Sequence, residues 1–146
     1  MVTRSATKPP AWFWVAAVVL VLWEAIGVWS WWAHWQDGPR AMGATPSEYD
    51  IRYFAALPGW YAWLFALATL SALAGGLLLL ARKAAAVPVY TVSLVATIAM
   101  FGYTFLATDL LAVKGAWTAY FPAFIVAVGV VSVLFARAAR ARGWIA

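Results

Sequence analysis

Cysteine is absent from this chain of 146 residues, and charge is scarce: Lys and Arg total 10, Asp and Glu 5, with one His. The first absence excludes disulfides, thiolate metal sites and thiol redox chemistry. The second excludes a water-facing globular surface. A soluble domain is about one quarter charged and about half apolar, whereas 10% of these residues are charged and 66% are hydrophobic. Catalytic constellations are missing as well. There is no glycine-rich phosphate loop, nucleophile elbow, paired-histidine motif or metal-spaced set of carboxylates, and Ser71 and Ser93 have no adjacent histidine to activate them. The expectation is a protein that is not an enzyme and has no cofactor or metal. The net charge of +5 does not point to nucleic acid either, because the basic residues are dispersed near the ends of apolar segments rather than gathered on one face.

Apolar sequence is what the chain has in excess. Crossing a hydrocarbon layer of ~30 Å takes about 20 helical residues, and four runs are long enough: residues 11–35, 60–81, 87–111 and 116–136. Backbone polar groups in lipid must be satisfied within the segment, so each run predicts a helix. The first run is too long for a signal-peptide core, and its Trp-rich end lacks a small-residue cleavage site. The expected fold class is all-α, a single transmembrane domain over residues 1–146 built as a four-helix up-down-up-down bundle. Tight turns at residues 82–86 and 112–115 predict that helices two, three and four are antiparallel neighbours. Pro88 suits the first turn of helix three, where its missing N–H costs nothing.

The basic residues set the orientation. Arg4, Lys8, Arg82, Lys83, Arg137, Arg140 and Arg142 fall on one side and Arg40, Arg52 and Lys114 on the other. The positive-inside rule then predicts that both termini lie in the cytoplasm. Trp12, Trp14, Trp31, Trp32, Trp35, Trp60, Trp63 and Trp117 lie near the expected helix ends, where tryptophan anchors at the interface. His34 and Asp109 lie at the outer interface. Asp109 and Lys114 are a candidate pair across the outer turn, of the exposed kind that is worth little.

The only long connection, residues 36–59, lies on the outside. Thr45-Pro46-Ser47-Glu48 has the form of a capping box, with Pro46 at the first helical position. It predicts a short amphipathic helix over about residues 46–56, stopped before Pro58. Tyr49, Tyr53 and Leu57 recur on one side, while Glu48, Asp50 and Arg52 stay wet. Such a helix either caps the bundle or lies along the membrane surface.

Inside the spans, Glu24 stands out. It is the fourteenth residue of the first run, at roughly 20 Å from the cytoplasmic end given a rise of about 1.5 Å per residue. An ionised, unpaired acid there costs at least about 2.5–3.5 kcal/mol on insertion scales. Either the carboxyl keeps its proton and donates a hydrogen bond, or it faces a polar cavity. On both counts it should point inward. At its level lie Thr69 on helix two, Met100 and Phe101 on helix three and Ala123 on helix four, and helix three carries a hydroxyl stripe of Ser93, Thr97, Thr104 and Thr108. Glu24, Thr69, Thr97 and Tyr103 are therefore the candidate binding residues. Two readings stand: interhelical hydrogen-bonding glue, or a proton or substrate site. Helix two also offers a packing seam of small residues, Ala68, Ala72 and Gly76, with Ala123 and Ala127 doing the same on helix four.

The order of these features resembles a family of small, uncharacterised bacterial four-span inner-membrane proteins. The similarity covers nearly the whole chain: LWEAIGV at residues 22–28, TPSEYDIRYFAALPGW at 45–60, the Gly-Gly-Leu run and basic residues closing helix two, AVPVYTVSL at 86–94 and ARGWIA at the end. The family carries LWN where this chain reads LWE. By that resemblance the polar position is filled elsewhere by an amide, which cannot titrate, so the resemblance favours hydrogen bonding over proton relay at Glu24. Some members bear the label "sugar transporter", yet four spans without an internal repeat are few for an alternating-access carrier unless it oligomerises.

Two functional expectations follow. The first is a non-enzymatic accessory or scaffold subunit of a larger membrane assembly, or a homo-oligomer, whose partners are the bilayer and another membrane protein or a second copy. The second is a small-solute transporter or a lipid- or quinone-binding membrane protein with its pocket around Glu24. A membrane enzyme would need a titratable pair, and Glu24 alone is deep enough to contribute.

Overall fold

The computed structural model describes residues 6–146, so Arg4 lies outside the described residues. These residues form helices and turns, with no strand among them. Six helices follow one another: α1 (Ala11–Asp37), α2 (Glu48–Ala56), α3 (Gly59–Leu80), α4 (Ala86–Leu106), α5 (Leu110–Lys114) and α6 (Tyr120–Ala141). Among the described residues four helices, α1, α3, α4 and α6, are long and apolar enough to cross a membrane, which marks a multi-pass membrane protein.

Each boundary has a local cause. Pro10 sits in extended backbone just before α1, and Gly38 ends that helix at a φ of 55°, where glycine carries no Cβ penalty. The capping box of α2 lies two residues later than the sequence spacing suggested. Ser47 rather than Thr45 is the N-cap: its hydroxyl accepts from the Asp50 N–H at 3.1 Å, and the Ser47 N–H donates to Asp50 Oδ2 at 2.9 Å. Both frames satisfy the pattern of a hydroxyl followed three residues later by an acid. The later frame has an acid that is also held by Lys114, which decides between them. Leu57 is extended because Pro58 follows it, and α2 stops there.

The third span is shorter than expected. It closes at Leu106, not 111, because the Thr108 hydroxyl turns back onto the Thr104 carbonyl and the chain restarts as α5. The expected tight turn at 112–115 is thus a longer connection made of α5, Gly115 at a φ of 95° and a 3-10 turn over Ala116–Ala119. The fourth span starts at Tyr120 and runs on to Ala141, past the expected end at 136.

α3 packs against both α1 and α4, and α6 packs against α4. Tyr61 meets Thr104, Ala68 meets Ser93 and Gly75 meets Tyr90, so residue numbers rise along α3 as they fall along α4. The seam Ala68–Ala72–Gly76 is buried between neighbours of the same chain. A Cβ on Gly75 would stand 2.9 Å from the Tyr90 ring, and one on Gly76 would stand 2.8 Å from Val21 Cγ2. Ala123 and Ala127, expected to pack in the same way, are exposed instead. α6 approaches α4 through Gly129, whose Cβ position lies 3.1 Å from Leu94, while Ser132, Ala136 and Ala139 are the residues it buries.

At one end of the bundle the N-terminal stretch, the α3–α4 turn and the C-terminal tail are tied together. Arg82 donates from Nε to the Trp144 carbonyl and from Nη2 to the Thr7 carbonyl, both at 2.8 Å. Across the same turn the Ala84 N–H donates to the Ala146 carbonyl at 2.9 Å, and the Ala146 N–H donates to the Arg82 carbonyl at 3.0 Å. Trp144 and Ile145 are buried there beside Phe13 and Leu79.

Candidate functional site

Phe13, Ala17 and Glu24 are the buried residues of α1, spaced four and seven apart and so on one helical face. Glu24 is turned inward and is 8% exposed. It forms part of the wall of a cavity of about 320 Å³ inside the bundle, at the lower end of the range of roughly 300–1,000 Å³ typical of small-molecule sites.

The cavity has three levels. The end nearest α2 is walled by Met42 and by Tyr53, Phe54 and Leu57 from α2 and the residue after it. His34 stands beneath them in a ring of aromatics, 4.8 Å from Phe54, 5.4 Å from Phe65 and 6.0 Å from Tyr61 between centroids. The middle holds Glu24, Thr69, Thr97 and Met100. The end away from α2 holds Tyr90, Ser93, Gly129 and Ser132.

Of the four binding candidates named from the sequence, Glu24, Thr69 and Thr97 line this cavity together. Tyr103 is not on its wall. The Tyr103 ring packs edge-on against Trp60 at 5.0 Å and beside Tyr61 at 5.9 Å. No hydrogen bond joins Glu24 to Thr69, Thr97 or Tyr103. Thr69 donates to the Phe65 carbonyl at 3.0 Å and Thr97 to the Ser93 carbonyl at 2.8 Å. Threonine in a helix finds the carbonyl four residues back without any neighbour's help, so both protons are spent locally. Among the described residues no hydrogen bond is made by the Glu24 carboxyl.

The hydroxyl stripe of α4 serves mainly as interhelical and intrahelical glue. Ser93 donates to the Ala68 carbonyl of α3 at 2.6 Å, and Thr104 shares a 2.8 Å hydrogen bond with the Tyr61 hydroxyl. Beyond the stripe are two residues that sequence reasoning passed over. Tyr90 is 2% exposed, and among the described residues its hydroxyl has no hydrogen-bond partner. Ser132 is fully buried and donates to the Val128 carbonyl at 2.8 Å. Tyr90 stands three residues before Ser93, on the same face of α4, and Gly75-Gly76 on α3 leaves a seat for its ring. That pairing of a large ring with two glycines was the legible signal. Ser132 had none.

Two contacts join α2 to the connection between α4 and α6. The Lys114 ammonium lies 2.6 Å from Asp50 Oδ1, and the Tyr49 hydroxyl donates to Asp109 Oδ1 at 2.7 Å. The expected pair of Asp109 with Lys114 is therefore replaced, because α2 offers each of them a nearer partner. The Lys114 ammonium, followed by the Ser47 hydrogen bonds, holds the Asp50 carboxyl down at about 2. Burial and the bond to Asp109 push the Tyr49 phenol up to about 12.

Among the described residues no three His, Asp or Glu side chains gather where a metal ion would sit. No family model, curated protein or solved structure matches the chain.

Proposed function

We propose that this protein is a bacterial inner-membrane bundle of up-down-up-down topology, with both termini cytoplasmic, that binds a small amphipathic molecule in the cavity around Glu24. One observation carries the reading: a buried acid at mid-span, free of hydrogen bonds within the described protein, stands on the wall of a cavity of ligand size. An acid in that position is costly unless something polar meets it. A bound head group answers that cost.

Several features support the arrangement. Lys8, Arg82 and Arg142 lie at the end where the N-terminal stretch and the C-terminal tail are tied, and Lys114 lies at the other, as the positive-inside rule asks of cytoplasmic termini. In this proposal α2 is an amphipathic lid on the outer face. Tyr53, Phe54 and Leu57 turn to the cavity while Glu48 and Arg52 are exposed; Asp50, expected to stay wet with them, is buried against Lys114. Membership of the four-span family resembled by LWEAIGV and TPSEYDIRYFAALPGW belongs to the same proposal, and an amide at position 24 in that family fits a hydrogen-bonding role.

The accessory-subunit expectation rested on the absence of catalytic groups, on the outer amphipathic helix and on the seam Ala68, Ala72 and Gly76, a pattern that serves packing within a chain or between chains. With those residues occupied by α1 and α4, the cavity is the better-supported feature. The test is native mass spectrometry of the protein released from native-lipid nanodiscs. Wild type and Glu24→Gln should retain a bound small molecule, and Glu24→Leu should lose it. A bare protein mass throughout, or equal retention by all three, overturns the reading.

A further inference from the structure

We propose that the cavity is filled from within the bilayer, between α1 and α6, by an amphiphile whose hydroxyl-bearing head donates hydrogen bonds to the wall while its apolar tail stays in the lipid. This rests on the reading of the cavity as a ligand site.

The route follows from how the helices meet. α3 bridges α1 and α4, and α4 carries α6, but α1 and α6 make no comparable backbone contact. Aromatic side chains span the gap at two heights. Near the base Phe13 lies 5.6 Å from Phe135, and at the level of Glu24 the neighbouring Trp23 lies 5.4 Å from Phe124 and 6.2 Å from Phe121. Side chains across a gap rotate on far shorter timescales than packed helices separate. Within the spans, every exposed residue of the cavity wall belongs to α1 or α6. Ile26 is 59% and Phe121 62% exposed, whereas the wall residues of α3 and α4 are buried or half-buried. The residues that see the cavity and also face outward thus mark its mouth, and a mouth at mid-span opens onto acyl chains rather than water.

The head group follows from the wall. Thr69, Thr97, Ser93 and Ser132 each spend their hydroxyl proton on a backbone carbonyl. Toward the cavity they keep only acceptor lone pairs. The Glu24 carboxyl adds further acceptor capacity, and among the described residues the Tyr90 hydroxyl is the one hydroxyl proton left unspent at the level of Glu24 and beyond it toward Ser132. Among the described residues no Lys or Arg lines the cavity, and His34 stands ten residues, about 15 Å of helix, from Glu24. An anionic head would meet an acid with no cation beside it, and a head that only accepts would leave most of the wall unmatched. A hydroxylated head satisfies both constraints. The volume of about 320 Å³ holds such a head and not a whole lipid, so the tail extends through the gap.

The test uses the full chain in vesicles and two photoreactive probes of equal length, a diazirine-bearing long-chain alcohol and the corresponding fatty acid, with cross-links mapped by mass spectrometry. The absence of native cysteine allows Trp23→Cys/Phe124→Cys to be bridged cleanly by a short bis-maleimide. A second pair, Ile26→Cys/Phe121→Cys, repeats the experiment if the first does not fold. We expect the alcohol to label Thr97 and Ser132 and the acid not to. Bridging before the probe is added should abolish that labelling, and bridging afterwards should preserve it. Tying α2 to α5 through Tyr49→Cys/Asp109→Cys should leave it unchanged. Labelling that survives the α1–α6 bridge, or that is lost with the α2–α5 bridge instead, overturns the lateral route. Equal labelling by both probes overturns the head-group assignment. If neither probe reaches the cavity of the wild-type protein, the ligand-site reading itself falls.

Discussion

Lys114 on α5 meets Asp50 on α2 with 2.6 Å between Nζ and Oδ1, and the Lys114 ammonium also lies 5.8 Å from the centre of the Tyr49 ring. Asp50 is at the same time the N3 residue of the capping box that starts α2. One carboxylate therefore both begins α2, the lid of the proposed site, and docks it, so the fold of α2 and its place beside the cavity are coupled.

Removing the ammonium should loosen the lid without disturbing the bundle. An ion pair with one partly exposed partner is worth about 1 kcal/mol or less, equivalent to roughly a fivefold increase in local opening. Lys114→Met should therefore speed hydrogen exchange across α2 by about that factor and leave α3 and α4 unchanged. Asp50→Asn should do more, since it also weakens the cap. Unchanged exchange in both variants would mean that α2 is held by Tyr53, Phe54 and Leu57 alone.

The same contact fixes how the lid responds to pH. The Asp50 carboxyl sits at about 2 in the folded protein, below its unfolded value of ~3.9. A depressed acid contributes stability that is complete above the unfolded value and is lost as pH falls through the folded one. On the alkaline side the Tyr49 phenol, raised to about 12, contributes stability that is complete below ~10 and is lost as pH rises toward its folded value. Protection of α2 should therefore be level between about pH 4 and 10 once intrinsic exchange is divided out. It should fall on either side. A midpoint near neutrality would show that some other group holds the lid.

The spans and the inward direction of Glu24 were legible because both follow from solvent. Lipid demands long apolar helices, and an acid among them has few places to go. What escaped were the choices between nearly equal local options. Thr45 and Ser47 each head a usable capping box, and only the position of Lys114 in space selects the second. Thr69 and Thr97 share the level of Glu24, but their own carbonyls are closer than its carboxyl. Tyr103 and Tyr90 are both tyrosines of α4, and the glycine pair on the facing helix decides which of them lines the cavity. For the capping box and the tyrosines the deciding atom is remote in sequence; for the threonines it lies four residues back on the same helix.

Gly75 should be intolerant of even one added carbon. A Cβ there stands 2.9 Å from Cγ of Tyr90, a ring that is 2% exposed and has nowhere to move. Overpacking of this kind costs about 1–3 kcal/mol. Gly102 on α4 is the matched control, with nothing within 4 Å of its Cβ position. Gly102→Ala should be neutral or gain up to about 1 kcal/mol from helix propensity. Thermal unfolding in detergent should separate the two variants, and similar midpoints would show that α3 and α4 can part to admit the methyl.

Arg82 presents the opposite case, a residue in a position built for glycine. Its N–H bonds the Leu79 carbonyl and that of Lys83 bonds Leu78, closing α3 in the Schellman pattern with Arg82 at a φ of 59°. α6 closes in the same way through Gly143 at a φ of 73°, with Gly143 bonded to Arg140 and Trp144 to Ala139. A left-handed non-glycine residue costs about 1–2 kcal/mol, a strain that Arg82 offsets through its guanidinium bonds to the Trp144 and Thr7 carbonyls. Arg82→Ala keeps the strained backbone and loses both bonds, at an expected net cost of about 2 kcal/mol. Arg82→Gly loses the same bonds but relieves the backbone, and should recover about half of that. The order of stability is then wild type, Gly, Ala, read from thermal unfolding together with protease access to the C-terminal tail. A glycine variant as stable as wild type, with its tail still protected, would mean that the guanidinium clasp contributes nothing and that the tail is held by Trp144 and Ile145 in their apolar seat.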